Sequence, residues 1–327
     1  MLKKRFYILL FFCLLLGGNV NSSTVDKGDN NAPFENKRTE TDYLPIADPF
    51  VMLYNNKYYA YGTGGTVNEG FACFSSDDLK NWKRERQALS ADDSYGKWGF
   101  WAPEVYYIQS KKKFYMFYSV EEHICVATSD SPVGPFRQES KQPIWEEKSI
   151  DTSLFIDDDG TPYLYFVRFT DGNVIWVAQM TDDLMKIKKE TLSECIKAEE
   201  PWELLQAKVA EGPSVLKKKG MYYLIYSANH YQNKGYGVGY ATLKSPMGPW
   251  TKYDKNPLLQ GDESTGLVGT GHGAPFQCKD GSWKYIFHAH WNKEKIHPRT
   301  SYFKDFTISK QGVVSITGKV IKPKVIK

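Results

Sequence analysis

Val209-Ala210-Glu211-Gly212-Pro213-Ser214-Val215-Leu216 runs through Lys217-Lys218-Lys219-Gly220 into Met221-Tyr222-Tyr223-Leu224-Ile225-Tyr226. Two short runs rich in aromatic and aliphatic residues, separated by a polar, glycine-containing turn, predict a β-hairpin. A carboxylic acid stands at its head. The unit recurs. Asp48-Pro49-Phe50-Val51 passes through Asn55-Asn56-Lys57 into Tyr58-Tyr59-Ala60-Tyr61, and Glu104-Val105-Tyr106-Tyr107 passes through Lys111-Lys112-Lys113 into Phe114-Tyr115-Met116-Phe117. Asp151-Thr152-Ser153-Leu154-Phe155 leads to Tyr163-Leu164-Tyr165-Phe166, and His272-Gly273-Ala274-Pro275-Phe276 leads to Trp283-Lys284-Tyr285-Ile286. The five polar heads lie 56, 47, 60 and 61 residues apart. That is the period of a four-stranded propeller blade.

Shorter echoes accompany the hairpins. Ser131-Pro132-Val133-Gly134-Pro135-Phe136 is matched by Ser245-Pro246-Met247-Gly248-Pro249-Trp250, and Ser76-Asp77-Asp78-Leu79 by Thr181-Asp182-Asp183-Leu184. Long helical periodicity is absent; Glu200 to Val209 is the best helical candidate. Five copies of a strand unit predict an all-β, five-bladed β-propeller, a closed fold that leaves only short edges. The strands Phe306–Ser309 and Val313–Ile316 are expected to help close the ring by completing the first blade. The first strand of each blade lines the channel, so Asp48, Glu104, Asp151, Glu211 and His272 are expected to converge at one mouth.

The 327 residues hold 41% hydrophobic and 24% charged side chains, enough for a large packed domain. The formal charge of +4 falls to +1 if Lys3, Lys4 and Arg5 are removed with a leader, which excludes a nucleic-acid-binding balance. Those three residues precede an apolar run of 11, Phe6 to Leu16, and then small residues. This is the pattern of a signal peptide, expected over residues 1–22, and the run is short for a membrane span. Residues 23–41 are polar and aperiodic and predict a flexible linker before a catalytic domain over 42–327. The expected destination is periplasmic or secreted. Cys13, with Phe12 before it and three leucines after it, lacks the setting of a lipid anchor. The remaining Cys73, Cys125, Cys195 and Cys278 allow three full pairings. Burial as free thiols is the expectation for a domain of this size, and no pair has zinc-ligand spacing.

Several carboxylates in one cup repel each other, so at least one must keep its proton above its solution pKa. Two carboxyl groups pushed apart in this way form an acid and a base. Trp98, Phe100 and Trp101 before Glu104, and Trp291 after the fifth hairpin, supply aromatic surface. An acidic cup with an aromatic wall suits a neutral polyhydroxylated ring. Gly269-Thr270-Gly271-His272-Gly273 is followed by a strand rather than a helix, which argues against a nucleotide loop.

Together Ala47-Asp48-Pro49, Trp101-Ala102-Pro103, Ile150-Asp151-Thr152-Ser153-Leu154-Phe155, Glu211-Gly212-Pro213 and Gly271-His272-Gly273 resemble family 43 glycoside hydrolases, over about residues 42–300. The resemblance implies a five-bladed propeller that cleaves glycosides of plant polysaccharides with inversion, usually arabinofuranosides, xylosides or galactosides. By position, Asp48 resembles the general base, Glu211 the general acid, and Asp151 the third carboxylate that orients the acid and raises its pKa. Trp101 matches a wall of the sugar pocket. His272 matches a channel histidine that neighbours Ca²⁺ or a water cluster, and Arg299 a late sugar-contacting arginine. Glu104 is expected with the substrate-binding residues. Inversion needs acid and base about 6.5–9.5 Å apart so that a water fits between base and sugar. No cofactor is expected for the chemistry itself; a structural Ca²⁺ in the channel is the metal the resemblance implies. A carbohydrate substrate, no nucleic acid, no membrane span after leader removal and a monomer are the remaining expectations. Two alternatives stay open: a non-catalytic carbohydrate-binding propeller, and a retaining invertase- or levansucrase-like enzyme, against which Ile150 stands where an arginine would precede the middle Asp.

Overall fold

A computed structural model describes residues 43–64 and 68–326. The leader and linker expected over 1–22 and 23–41 lie outside the described residues. The chain forms five sheets in sequence order, antiparallel but for one strand added to the first, the five blades of a propeller. Blade 1 is Ala47–Tyr54, Lys57–Thr63, Gly70–Ser76 and Asn81–Ser90; blade 2 is Trp101–Ile108, Lys113–Val120 and His123–Ser129. Blade 3 is Ser149–Ile156, Pro162–Phe169, Asn173–Gln179 and Ser193–Ile196. Blade 4 is Ala210–Lys218, Met221–Ala228 and Gly237–Leu243, edged by Thr251–Lys252 and Leu259–Gln260. Blade 5 is Gly271–Gln277, Trp283–Ala289, Thr300–Ile308 and Val314–Ile321.

The hairpin turns follow from residues that accept the left-handed region. Asn55 and Asn56 have φ of 47° and 59°, and Lys219 and Gly220 have 52° and 77°, so each pair makes a two-residue turn whose twist matches the strands. The second strands are apolar on both faces because each blade packs between two others. Tyr222 through Ala228 is buried throughout. The core is accordingly divided into five clusters, one at each seam between neighbouring blades. All four described cysteines are buried free thiols in these seams.

Three expectations need correction. Blade 2 has three strands, not four; Phe136 and Arg137 run past it with single bridges to Leu89 and Thr128. The segments Phe306–Ser309 and Val313–Ile316 belong to the third and fourth strands of blade 5, not to blade 1, which has four strands of its own. Ring closure falls instead to Lys324–Ile326, which adds in parallel to Asn81–Ser90 as a fifth strand of blade 1. Trp82 stacks on Phe303 across the same seam at 6.1 Å. Finally, Glu200 to Val209 holds only one 3₁₀ turn, Pro201–Glu203. Glu203 is fully buried there and takes bonds from the Glu199 and Glu200 amides, Tyr226 and Lys252, which ties the turn to blade 4.

The echoed proline motifs have a structural meaning. Tyr61 donates to the Pro132 carbonyl, and Tyr165 donates to the Pro246 carbonyl, so each motif is latched to the second strand of an earlier blade. A Cβ at Gly134 or Gly248 would meet the Ala88 or Glu194 carbonyl oxygen at 2.3 or 1.9 Å, so no side chain fits at either glycine.

Candidate active site

Every first strand carries a β-bulge near its start, where the ladder to the second strand shifts register. One residue in each bulge takes positive φ: Asp48 (47°), Ala102 (46°), Asp151 (58°), Gly212 (56°) and His272 (41°). Bulges re-aim side chains and recur beside active sites. Here they turn Asp48, Asp151 and His272 into the channel mouth from blades 1, 3 and 5. Blade 4 supplies its acid from the residue just before the bulge, Glu211. Trp101 holds the corresponding place in blade 2, ahead of Ala102.

The equivalence of the five polar heads therefore fails at two of them. Glu211 sits one residue early and still joins the cup. Glu104 sits two residues past its bulge, a strand displacement of roughly 7 Å, and does not join it. Its partners are Tyr106, whose hydroxyl donates to Oε2, and through it Ser153 and the Leu154 amide. Burial pushes the Glu104 carboxyl up to about 8.

On one side of the cup Asp48 is 8% exposed and surrounded by cationic and imidazole groups. Arg299 grips it with two bonds, Nη1 to Oδ1 at 2.8 Å and Nη2 to Oδ2 at 3.2 Å. His288 Nδ1 lies 3.3 Å from Oδ1, and His272 Nδ1 lies 3.4 Å from it. Burial alone would raise this carboxyl, but the Arg299 guanidinium, helped by His272, outweighs it and holds Asp48 well below the usual carboxylate range. Burial and the Arg299 charge push His288 down to about 3, so it is neutral. The Arg299 guanidinium also lies 4.6 Å from the centre of the Tyr231 ring, which fixes its other face.

Across the channel the environment is different. Glu211 is 9% exposed, and its two oxygens take bonds from Tyr236 Oη at 2.8 Å and Asn173 Nδ2 at 3.0 Å. Burial is the largest influence and lifts Glu211 to about 7; the Asp48 charge adds to it and the two donors oppose it. Asp151, buried beside it, is raised well above its ordinary value by burial, Glu211 and Asp48, against one bond from the Gly212 amide at 3.3 Å. Burial and the mutual repulsion of the two carboxyl groups thus favour a proton on this pair. The His272 ring stands between the two sides, its Nδ1 3.8 Å from Asp151 Oδ2. It packs on Gly212 so closely that a Cβ there would come within 2.8 Å of the ring. Glycine is thus required twice, by φ and by contact.

At the rim Trp98 is half exposed and meets Trp101 edge to face at 6.5 Å, giving an aromatic wall on blade 2. Trp291 packs edge to face on Tyr43 at 5.7 Å. Sequence reasoning missed His288, Tyr236 and Asn173. The polar pair His288 and His290 in an otherwise apolar strand end was the available signal for the first; nothing local marks the other two. As for a metal, no cluster of three or more His, Cys, Asp or Glu side chains among the described residues is arranged to hold one. His272 faces two carboxylates and the Gly212 backbone, so the Ca²⁺ expected beside it would be held through water rather than by the ring.

A family profile described as "Glycosyl hydrolases family 43" matches residues 44–313, a span that contains all five bulges. The chain belongs to glycosyl hydrolase family 43. It is a glycoside hydrolase of this family, which sets aside the invertase-like alternative. Among family 43 relatives, the chain is 27% identical over 265 residues to "Beta-D-galactofuranosidase xynD" of Aspergillus niger, covering 74% of this chain and 73% of that one. It is 28% identical over 295 residues to the "Arabinoxylan arabinofuranohydrolase" of Bacillus subtilis, covering 74% and 55%. A crystallised protein from Bacteroides thetaiotaomicron described as an endo-1,4-beta-xylanase shares 83% identity and a TM-score of 0.87, covering 88% of this chain and 100% of that one.

Proposed function

We propose that this family 43 enzyme hydrolyses glycosidic bonds with inversion, with Asp48 as general base, Glu211 as general acid and Asp151 as the residue that orients the acid and sets its proton affinity. The observation that carries the reading is the opposed state of the two sides of the cup. Asp48 is held ionised by Arg299 and can take a proton from water. Glu211 is buried and shares a proton with Asp151, so it can give one. In the reaction the water oxygen bonds to the anomeric carbon as its proton passes to Asp48. The bond from that carbon to the leaving oxygen breaks as Glu211 protonates that oxygen. The exchange balances, and proton return through solvent resets the pair.

The substrates proposed are α-L-arabinofuranosides, β-D-xylosides and β-D-galactosides or galactofuranosides of plant-type polysaccharides. The relatives named for galactofuranoside, arabinoxylan and xylan cleavage support the furanoside and xyloside parts of this range, and the neutral rim of Trp98 and Trp101 suits an uncharged sugar. A periplasmic or secreted location is proposed from the leader pattern; among the described residues no helix is long and apolar enough to cross a membrane. The test is a panel of nitrophenyl glycosides of these sugars, with proton NMR of the first-formed product. Cleavage that yields the opposite anomer, lost in Glu211→Gln and in Asp48→Asn, is the expected result. Retained configuration, or activity that survives either substitution, would overturn the assignment. Binding without cleavage across sugars and polymers would leave a carbohydrate-binding propeller.

A further inference from the structure

Each bulge frees one backbone N–H from its ladder, and a buried N–H needs an acceptor. Four of the five bulges solve this in the same way. The acceptor is a side chain at one fixed position near the end of the preceding blade's second strand, the residue paired with the one before that blade's own bulge. The Ala102 amide donates to Thr63 Oγ1 at 3.0 Å, and the Asp151 amide donates to Ser119 Oγ at 2.9 Å. The His272 amide donates to Ser227 Oγ at 2.7 Å, and the Asp48 amide meets His288 Nδ1 at 3.2 Å. Thr63, Ser119, Ser227 and His288 pair with Ala47, Trp101, Glu211 and Gly271 respectively, so the positions correspond.

The fifth member of this ring is Val167, paired with Ile150 and fully buried. Valine has no acceptor. The N–H that should reach it, on Gly212, goes instead to Asp151 Oδ2 at 3.3 Å. The one apolar residue in a ring of polar acceptors stands where its lack of an oxygen hands an amide to a carboxylate of the cup.

We propose that Val167 is a positioning residue: by offering no acceptor, it leaves the Gly212 amide free to orient Asp151 and to favour its charged form beside Glu211. The inference rests on the role given above to Asp151. The other groups that face Asp151 are Glu211, Asp48, Arg299 and His272, and none of them changes when Val167 is replaced.

The test compares Val167→Thr, which nearly preserves shape and adds an acceptor, with Val167→Ala, which loses packing and adds none. A hydrogen bond to a charged group contributes about 1.5–3 kcal/mol, equivalent to about one pKa unit or more. In Val167→Thr, kcat is expected to fall about tenfold with KM within about twofold, and the acidic limb of the kcat profile to rise by about one pH unit. Val167→Ala should leave the limb where it is in the wild type, whatever it does to stability. A readout independent of catalysis is the Gly212 amide signal in ¹H–¹⁵N spectra followed through a pH titration. It should track a carboxylate titration in the wild type and in Val167→Ala, and lose that dependence in Val167→Thr. A Gly212 amide that behaves alike in Thr and Ala variants, or that does not titrate in the wild type, overturns the inference. If the amide behaves as expected while the wild type cleaves no glycoside, the positioning stands and the catalytic reading under Proposed function fails.

Discussion

Asp48 and Glu211 are both carboxylic acids buried at the mouth of the same channel, yet they are driven in opposite directions. Asp48 has a guanidinium clamped across both oxygens and two imidazoles at its side. Glu211 has only neutral donors, Tyr236 and Asn173, and a second carboxyl beside it. Burial acts on both alike, so the difference comes from charge: a full positive charge outweighs desolvation, and two neutral hydrogen bonds do not. The lesson is that the position of a residue in the repeat brings it to the cup, while residues from another blade decide what it does there. Arg299 and His288 come from blade 5 to serve blade 1, and Asn173 comes from blade 3 to serve blade 4.

The comparison breaks most completely if one of the two carboxyl groups is removed. Asp48→Asn and Glu211→Gln should each lower kcat/KM on an alcohol-leaving substrate by about 10³-fold or more, measured in initial rates with folding checked by circular dichroism. Arg299→Met takes away the charge that separates the two sides. Burial then acts on Asp48 with its strongest opponent gone, its pKa rises, and the ionised base is lost on the acidic side. We expect kcat/KM to fall about 10²-fold at mildly acidic pH and the acidic limb to move upward, read from pH–rate profiles of the two enzymes.

Tyr236→Phe sharpens the comparison from the other side. The Tyr236 bond favours ionised Glu211, so losing it raises the Glu211 pKa above about 7. The acid then stays protonated to higher pH, and the alkaline limb should move up by up to about one unit with a several-fold change in rate. The smallest effect is expected for Glu104→Gln. Glu104 lies two residues past its bulge and is held near 8 by burial. The amide mimics its neutral form, so kcat/KM should stay within about twofold on any panel substrate.

The fold was legible because the hairpin repeat is strong. Aromatic runs such as Tyr222 to Tyr226 are apolar on both faces, which only a strand packed between two blades explains. The cup was less legible because bulges insert residues that a polar-to-polar alignment does not count. Prolines carried the missing register: Pro49, Pro103 and Pro213 each follow the positive-φ residue of their bulge. Aligned on them, Ala102 and Gly212 match Asp48, which places Glu104 too deep and Glu211 one step early. Thr152 and Gly273 fill the same place in blades 3 and 5 and hide the pattern. Ring closure by Lys324–Ile326 was hidden for a different reason, since three residues of parallel strand leave no periodicity to read. His288 and Asn173 act on the site only through contacts across seams, and Tyr236 reaches Glu211 from the turn before its own blade's third strand; no local spacing encodes those.

The most direct measurement is the leaving-group dependence of the two carboxyl variants, on matched glycosides of one sugar with a dinitrophenyl or an alcohol leaving group. A leaving group of low pKa needs no proton, while activation of water is needed for both. Glu211→Gln should therefore stay within about tenfold of wild type on the dinitrophenyl glycoside and lose about 10³-fold or more on the alcohol glycoside. Asp48→Asn should lose both activities together. A Glu211→Gln enzyme impaired equally on both substrates, or an Asp48→Asn enzyme rescued by the better leaving group, would contradict the assignment of acid and base.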